Sequence, residues 1–257
     1  MRVSILGSGS SGNATYVETE GVGLLIDAGF SGKKMEEKLN EIDVDIKTVK
    51  AILITHEHMD HILGAGILVR KHDIPLYITK ESYEESKHKI GKINLDKLNF
   101  IHDEFNIEKV RIKPFDVMHD AVRTVGFSIT NNSDKKLAIA TDIGYTTNIV
   151  KEEFKNSDVI IIESNYDYYK LMNGPYNWNL KNRVKGQNGH LCNVKASEFI
   201  GKIYTDKLKK IYLTHISRDN NTYELAYNTV KKYLNKNNIC VDIEVATQES
   251  TTKLFEF

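Results

Sequence analysis

Residues 53–61 read LITHEHMDH, which places three histidines and an aspartate within the six positions from His56 to His61. The stretch before it, Ala51-Ile52-Leu53-Ile54, is short, apolar and partly β-branched, the pattern of a buried strand. In extended backbone, residues two apart point to the same side, so the imidazoles of His56 and His58 can reach one cation. Asp60 and His61 follow where the chain must turn, and can face a second cation beside the first. Helix-forming sequence begins at His61, which puts the cluster on a strand-to-helix loop. The spacing differs from HExxH, whose histidines lie four apart on a helix.

Imidazole nitrogen combined with carboxylate oxygen is the donor chemistry zinc prefers, and a pair of such sites needs more ligands than one loop supplies. Further donors stand at other strand ends: His119 after VRIKPFDVM, Asp142 after KKLAIAT and His215 after KKIYLT. His72, His88 and His102 lack that context and read as surface residues. Two cations about 3.5–4 Å apart share a water and lower its pKa from 15.7 to roughly 7, presenting a bridging hydroxide as nucleophile. Two divalent ions are expected, zinc first and manganese as the alternative, since these ligands accept both.

Apolar β-rich runs that could carry these loops recur at 3–6, 23–26, 51–54, 75–79, 110–117, 125–130, 136–141, 159–163, 210–214 and 241–245. Helical periodicity marks 32–41, 61–72, 146–156, 193–204 and 222–236. Early strands in succession and later strands alternating with helices argue for sheets with helices packed outside, not a simple doubly wound fold. No repeat or proline-rich linker divides the 257 residues, so a single domain, 1–257, is expected.

Thirty-five basic residues balance thirty-five acidic ones, so no global field draws the chain to nucleic acid or membrane. Any polyanion site must be local. Cys192 and Cys240 form no CxxC pair, which fits a reducing compartment. With no export signal and no apolar run of spanning length, a soluble cytoplasmic protein is expected, without a membrane role. No protein partner can be inferred.

One local exception to the charge balance lies at 164–190, where Lys170, Lys181, Arg183 and Lys185 stand against Asp167 alone. The same window holds Tyr166, Tyr168, Tyr169, Tyr176 and Trp178. Cations bind phosphates and aromatic faces stack on bases, so the segment suits DNA or RNA with unpaired bases. A tyrosine-rich lid packing on its own domain would have the same composition.

HxHxDH with the later histidine, aspartate and histidine resembles the metallo-β-lactamase superfamily. That resemblance implies an α+β fold, a four-layer αββα sandwich with a dinuclear site along one edge. It further implies that His56, His58 and His119 bind one metal, that Asp60, His61 and His215 bind the other, and that Asp142 bridges them. Asp27, in LLIDAGF, matches the aspartate that buttresses the histidine loop, although the residues alone equally allow a turn aspartate. The stretch GSGSSGN (7–13) lacks the lysine and helix of a phosphate loop and reads as a tight loop near the site. His58 stands where flavodiiron relatives carry glutamate, which disfavours oxygen chemistry.

ESNYD, NGPYNWNLKNRV and GHLCN are further similar to the WalJ/YycJ/VicX family of bacterial phosphodiesterases or nucleases. The chain departs from that pattern at Asn177, where proline is usual, and at Cys192, where serine is usual. By resemblance to tRNA 3′-processing nucleases, His190 becomes the general acid or phosphoryl hydrogen-bond donor, with Glu163 orienting it. From the residues alone, the weaker alternative for His190 is a helix-entry residue ahead of NVKASEFI. Asp60 joins His190 and Glu163 in the catalytic set, because activity needs both cations. The expected function is a dinuclear metal-dependent hydrolase, a phosphodiesterase or nuclease acting on nucleic acid. Two other readings are a thioester or lactone hydrolase of the glyoxalase II kind and a non-catalytic protein that keeps the metals for stability.

Overall fold

The computed structural model describes residues 1–257. Six strands open the chain: β1 (Arg2–Gly7), β2 (Ala14–Thr19), β3 (Val22–Ile26), β4 (Val49–Leu53), β5 (Leu76–Ile78) and β6 (Leu98–Phe100). Seven more follow: β7 (Phe105–Ile107), β8 (Val110–Val117), β9 (Thr124–Thr130), β10 (Lys136–Ala140), β11 (Val159–Glu163), β12 (Lys210–Thr214) and β13 (Asp242–Val245). The short β14 (Phe255–Glu256) returns to pair with β1, completing one sheet of order β14-β1-β2-β3-β4-β5-β6. The second sheet runs β13-β12-β11-β10-β9-β8-β7. Each has an antiparallel half and a parallel half, the parallel strands being β3 to β6 and β10 to β13.

Alternation along the strands explains the layers. In β10 and β11, Leu137, Ile139, Val159 and Ile161 face the first sheet, meeting Val17, Leu24, Ile26 and Leu53. Their neighbours Ala138, Ala140, Ile160 and Ile162 point the other way, into a core with Phe199, Ile200, Val230 and Leu234. Strands buried on both faces read as continuous apolar runs, which is why they stand out in the sequence. A third core covers the outer face of the first sheet, where Leu25 and Ile52 meet Met35, Leu39 and Leu68. The helices supplying the outer layers are α1 (Gly32–Asn40), α2 (Met59–Ile62), α3 (Ala65–His72), α4 (Lys80–Ile90), α5 (Asn148–Phe154), α6 (Tyr168–Asn173), α7 (Trp178–Lys185), α8 (Asn193–Ile203) and α9 (Tyr223–Lys236). Helices, sheet, sheet, helices: the fold is the expected αββα sandwich.

Two local readings change. The helical pattern expected at 61–72 is two helices, because Gly64 breaks it. A Cβ there would lie 2.3 Å from the Phe30 carbonyl, and the Gly64 amide donates to the Ala28 oxygen. Helix formation also begins earlier, at Met59, so Asp60 and His61 sit on a single helical turn. His72 is not a free surface histidine: its Nε2 lies 3.0 Å from the Glu36 carboxylate.

Candidate metal centre

Parallel strands end at the same edge, and this edge collects the side chains. In the first sheet, β3 and β4 pair Ile26 with Leu53 and deliver Asp27 and the loop starting at Thr55. In the second, the pairing of Glu163 with Thr214 sets Glu163 beside the residue that precedes His215, with Asp142 two residues beyond β10. Antiparallel β9 between β8 and β10 makes β8 run parallel to β10, so His119 leaves at the same edge. Asp27, Asp142 and His215 turn away from their strands in left-handed backbone, at φ of 61°, 53° and 55°. Seven other non-glycine residues of the chain also take positive φ, and aspartate and histidine are among the types that do so more readily, but here the turns aim three side chains at one place.

Donor groups overlap around the histidine loop, one of them joining His56, His61 and Asp142. His56, His58 and His119 offer ring nitrogens that lie within 4.8 Å of one another. His56 Nε2 is 3.0 Å from His58 Nδ1, and the His56 and His119 rings are 5.0 Å apart. On the other side, His61 Nε2 lies 3.1 Å from Asp142 Oδ2 and 3.5 Å from Asp60 Oδ2. His215 Nε2 is 3.9 Å from the same Asp60 oxygen, and its Nδ1 is 3.2 Å from Asp142 Oδ1. All seven residues expected as ligands therefore meet in one place, with Asp142 between the groups. Asp142 also belongs to a further cluster, with Glu163, His190 and His215.

The donor set fits divalent cations. Buried His119 Nε2 and Asp142 Oδ2 make no well-aligned hydrogen bond, their nearest charged neighbours being Asp120 Oδ1 at 3.3 Å and His61 Nε2 at 3.1 Å, and a cation would complete both. Burial holds His56 and His119 below the usual imidazole range, hence neutral, the form that ligates. Burial alone would lower His61 too, but the charges of Asp27, Asp142 and Asp60 outweigh it and raise His61 well above normal. Burial opposes ionisation of Asp142, yet His215 and His61 pull it well below the carboxylate range. A cation replacing the protons shared here would meet ready-made carboxylate charge.

Residues outside the donor set orient it. Asp27 Oδ2 accepts from His61 Nδ1 at 2.7 Å, and Asp27 Oδ1 accepts the Thr55 amide at 2.8 Å. That bond fixes the His61 tautomer and turns Nε2 toward Asp60 and Asp142. Thr55 Oγ1, also bonded to Asp27, lies 3.0 Å from His56 Nδ1. The expected tight loop at 7–13 reaches the centre: Asn13 Nδ2 is 3.2 Å from Asp60 Oδ2, and Ser8 Oγ accepts the His215 amide. Buried Glu57 accepts from the Val122 amide at 2.7 Å and from Ser82 Oγ at 2.9 Å, clamping the segment after His119 to the histidine loop. Thr55 and Glu57 lie inside LITHEHMDH and Asn13 inside the expected loop, but their individual contacts carry no sequence signal of their own.

Glu163 is fully buried and uses both oxygens. Oε1 lies 2.7 Å from His190 Nδ1 and 2.7 Å from His215 Nδ1, while Oε2 accepts the Ile143 and Leu191 amides at 3.0 Å. It thus contacts His190 as expected, and a metal-ligand candidate as well. Burial would lower His190, but the Glu163 charge and hydrogen bond outweigh it and raise the ring to about 9.

The basic aromatic segment divides. Tyr166 is buried with Leu171, Val184 and Cys192 in a small core of its own, as a self-packing lid requires. Tyr168, Tyr169 and Trp178 are 48%, 76% and 59% exposed, so all three side chains are accessible from solvent. Lys185 sits 4.9 Å over the Trp178 ring, and Arg183 pairs with Asp120 at 2.5 Å. Asn177 caps α7, accepting the Leu180 amide at 2.9 Å. Cys192 stands at the N-cap of α8 without a side-chain bond and serves the lid core instead.

A family model described as the β-lactamase superfamily domain matches residues 23–216, a span that contains every residue of the centre except Asn13 and Ser8. The chain belongs to the metallo-β-lactamase superfamily. Within that superfamily it is similar to exodeoxyribonuclease YycJ of Bacillus anthracis, 39% identical over 91% of this chain and 89% of that protein. Exodeoxyribonuclease WalJ of Streptococcus pneumoniae is 36% identical over 97% of this chain and 94% of its own. Hydroxyacylglutathione hydrolase GloC of Haemophilus influenzae is more distant, 24% identical over 52% of the chain. Among solved structures, YhfI from Bacillus subtilis superposes with a TM-score of 0.72 at 17% identity, covering 98% of each chain. Human tRNase Z, short form, follows at 0.68 and 17%, covering 100% of both. At these identities the structures speak for the fold, with the metal chemistry resting on the donors described above.

Proposed function

We propose that the chain is a metal-dependent nuclease that degrades DNA from an end, within a single domain spanning 1–257. His56, His58 and His119 would hold one divalent cation, Asp60, His61 and His215 the other, and Asp142 would bridge them. The observation that carries the reading is the His190–Glu163 pair, 2.7 Å between Nδ1 and Oε1, built into the edge of that donor set. Phosphodiester cleavage expels an alkoxide, a poor leaving group, so a proton delivered in the transition state is worth about 10²–10⁴-fold. A thioester releases a thiolate and gains little from such a group.

Bound there, the cations would supply Lewis acidity and a water acidified toward neutrality, and zinc would do so without redox chemistry. The protein's own groups do the rest. Asp27 and Thr55 hold the rings of His61 and His56 in ligating orientation. Glu163 engages His190 Nδ1, which leaves Nε2 as the nitrogen that holds a proton for the leaving oxygen. Tyr168, Tyr169 and Trp178 offer faces on which unpaired bases stack. DNA is favoured over RNA by the exodeoxyribonuclease relatives at 39% and 36% identity. Zinc is favoured over manganese by the histidine-rich donors. A reducing cytoplasm suits the two free cysteines.

The test is cleavage by protein loaded with zinc or manganese, offered linear and circular DNA, RNA and S-lactoylglutathione side by side. Mononucleotides should accumulate from linear DNA while covalently closed circles persist. Thioester turnover without phosphodiester cleavage in either metal would overturn the proposal.

A further inference from the structure

Beside His190 and His215 the surface folds into a cleft of about 320 Å³. That is the lower end of small-ligand pockets, roughly 300–1,000 Å³, and leaves room for one small molecule. One wall comes from α7 and the loop before it, with Tyr176, Leu180 and Val184; the other is the loop after His215, from Ile216 to Asn220. The Tyr176 hydroxyl donates to Asp219 at 2.7 Å and so ties the two walls together.

Two features define what the cleft takes. Tyr176, Leu180, Val184 and Ile216 give it an apolar side suited to a base and sugar. Arg183 and Arg218 also line it, but Asp120 and Asp219 line it too, and the arginines are already paired with Asp120 and Glu249. Balanced charge does not suit a run of phosphates.

We propose that this cleft is the subsite for one terminal nucleotide, seating its base and sugar while its phosphate lies at the metal centre. The inference rests on the nuclease reading and extends it. A strand end can enter beside His190, whereas a strand continuing through would have to part Tyr176 from Asp219. Cleavage one residue at a time follows from the size of the cleft.

Calorimetry on zinc-loaded protein tests this with dAMP and inorganic phosphate. The native protein should bind dAMP at least tenfold more tightly than phosphate. Equal affinities would overturn the proposal without any variant. Leu180→Trp, which fills the cleft from one wall, should bring the two affinities within about twofold while zinc content and phosphate binding persist. Tyr176→Ala, which removes part of the apolar wall without adding bulk, should weaken dAMP at least fivefold. An undiminished preference for dAMP in a zinc-loaded variant would likewise refute the assignment. Should dAMP be preferred while no DNA is cut, the nuclease reading falls and the nucleotide subsite stands.

Discussion

Asp27 and Glu163 perform the same task on opposite sides of the centre: each takes the Nδ1–H of a histidine and leaves Nε2 facing inward. The side chains that face inward differ in what their loss should do. Asp60→Ala removes a carboxylate shared between His61 and His215, so bound metal measured by atomic emission should fall from two ions toward one. Activity should be lost with it. His190→Ala should keep two ions and lower the maximal rate about 10²–10⁴-fold, read by single-turnover cleavage. If His190→Ala strips metal, the residue is a ligand and not the acid. The candidate donors of the histidine loop were legible in sequence because HxHxDH directly after an apolar strand has few other uses. Thr55, Asn13 and the second contact of Glu163 were not, since their meaning arises only when distant loops converge.

Among elements, the strands were easiest to read where both faces are buried: β11 and β12 start and end where their apolar runs do. The helix α4, KESYEESKHKI, escaped notice because it buries Ser82 and Ser86 where an apolar stripe is expected. Strand β2 was hidden behind the glycine-serine loop, and the short α6 and α7 lie in a segment whose polarity outweighs its few apolar positions. At the far end of the second sheet, Asp158 joins three parallel strands: its carboxylate accepts the Lys136 amide at 3.0 Å and its carbonyl accepts from Lys209. Burial would raise its pKa, but that amide and the charges of Lys207, Lys135 and Lys209 win and lower it. A depressed carboxylate contributes its stability above the unfolded value of about 3.9 and loses it as pH falls through the lower folded value. Asp158→Asn should therefore cost about 1–3 kcal/mol at pH 7 in denaturant melts, and the difference from the native protein should shrink below pH 4.

Across the whole molecule, the centre spans both sheets. His56, His58, Asp60 and His61 come from the first, and His119, Asp142 and His215 from the second. Cations there would strap the two layers at one edge, adding to the apolar core between them. Ligands that bind only the folded state stabilise it by about 2.7 kcal/mol at a hundredfold excess over Kd. Chelation should accordingly lower the melting temperature by several degrees, and Asp60→Ala should show a smaller shift.

The left-handed turns at Asp27, Asp142 and His215 have an evolutionary corollary. Each sets a bulky or charged side chain where glycine or asparagine would rest more easily. Variants of this protein screened for heat tolerance alone, with no demand on catalysis, should drift first at those three corners. Survivors of such a screen would be sturdier and inert, so any directed-evolution campaign on this scaffold has to select for both properties at once.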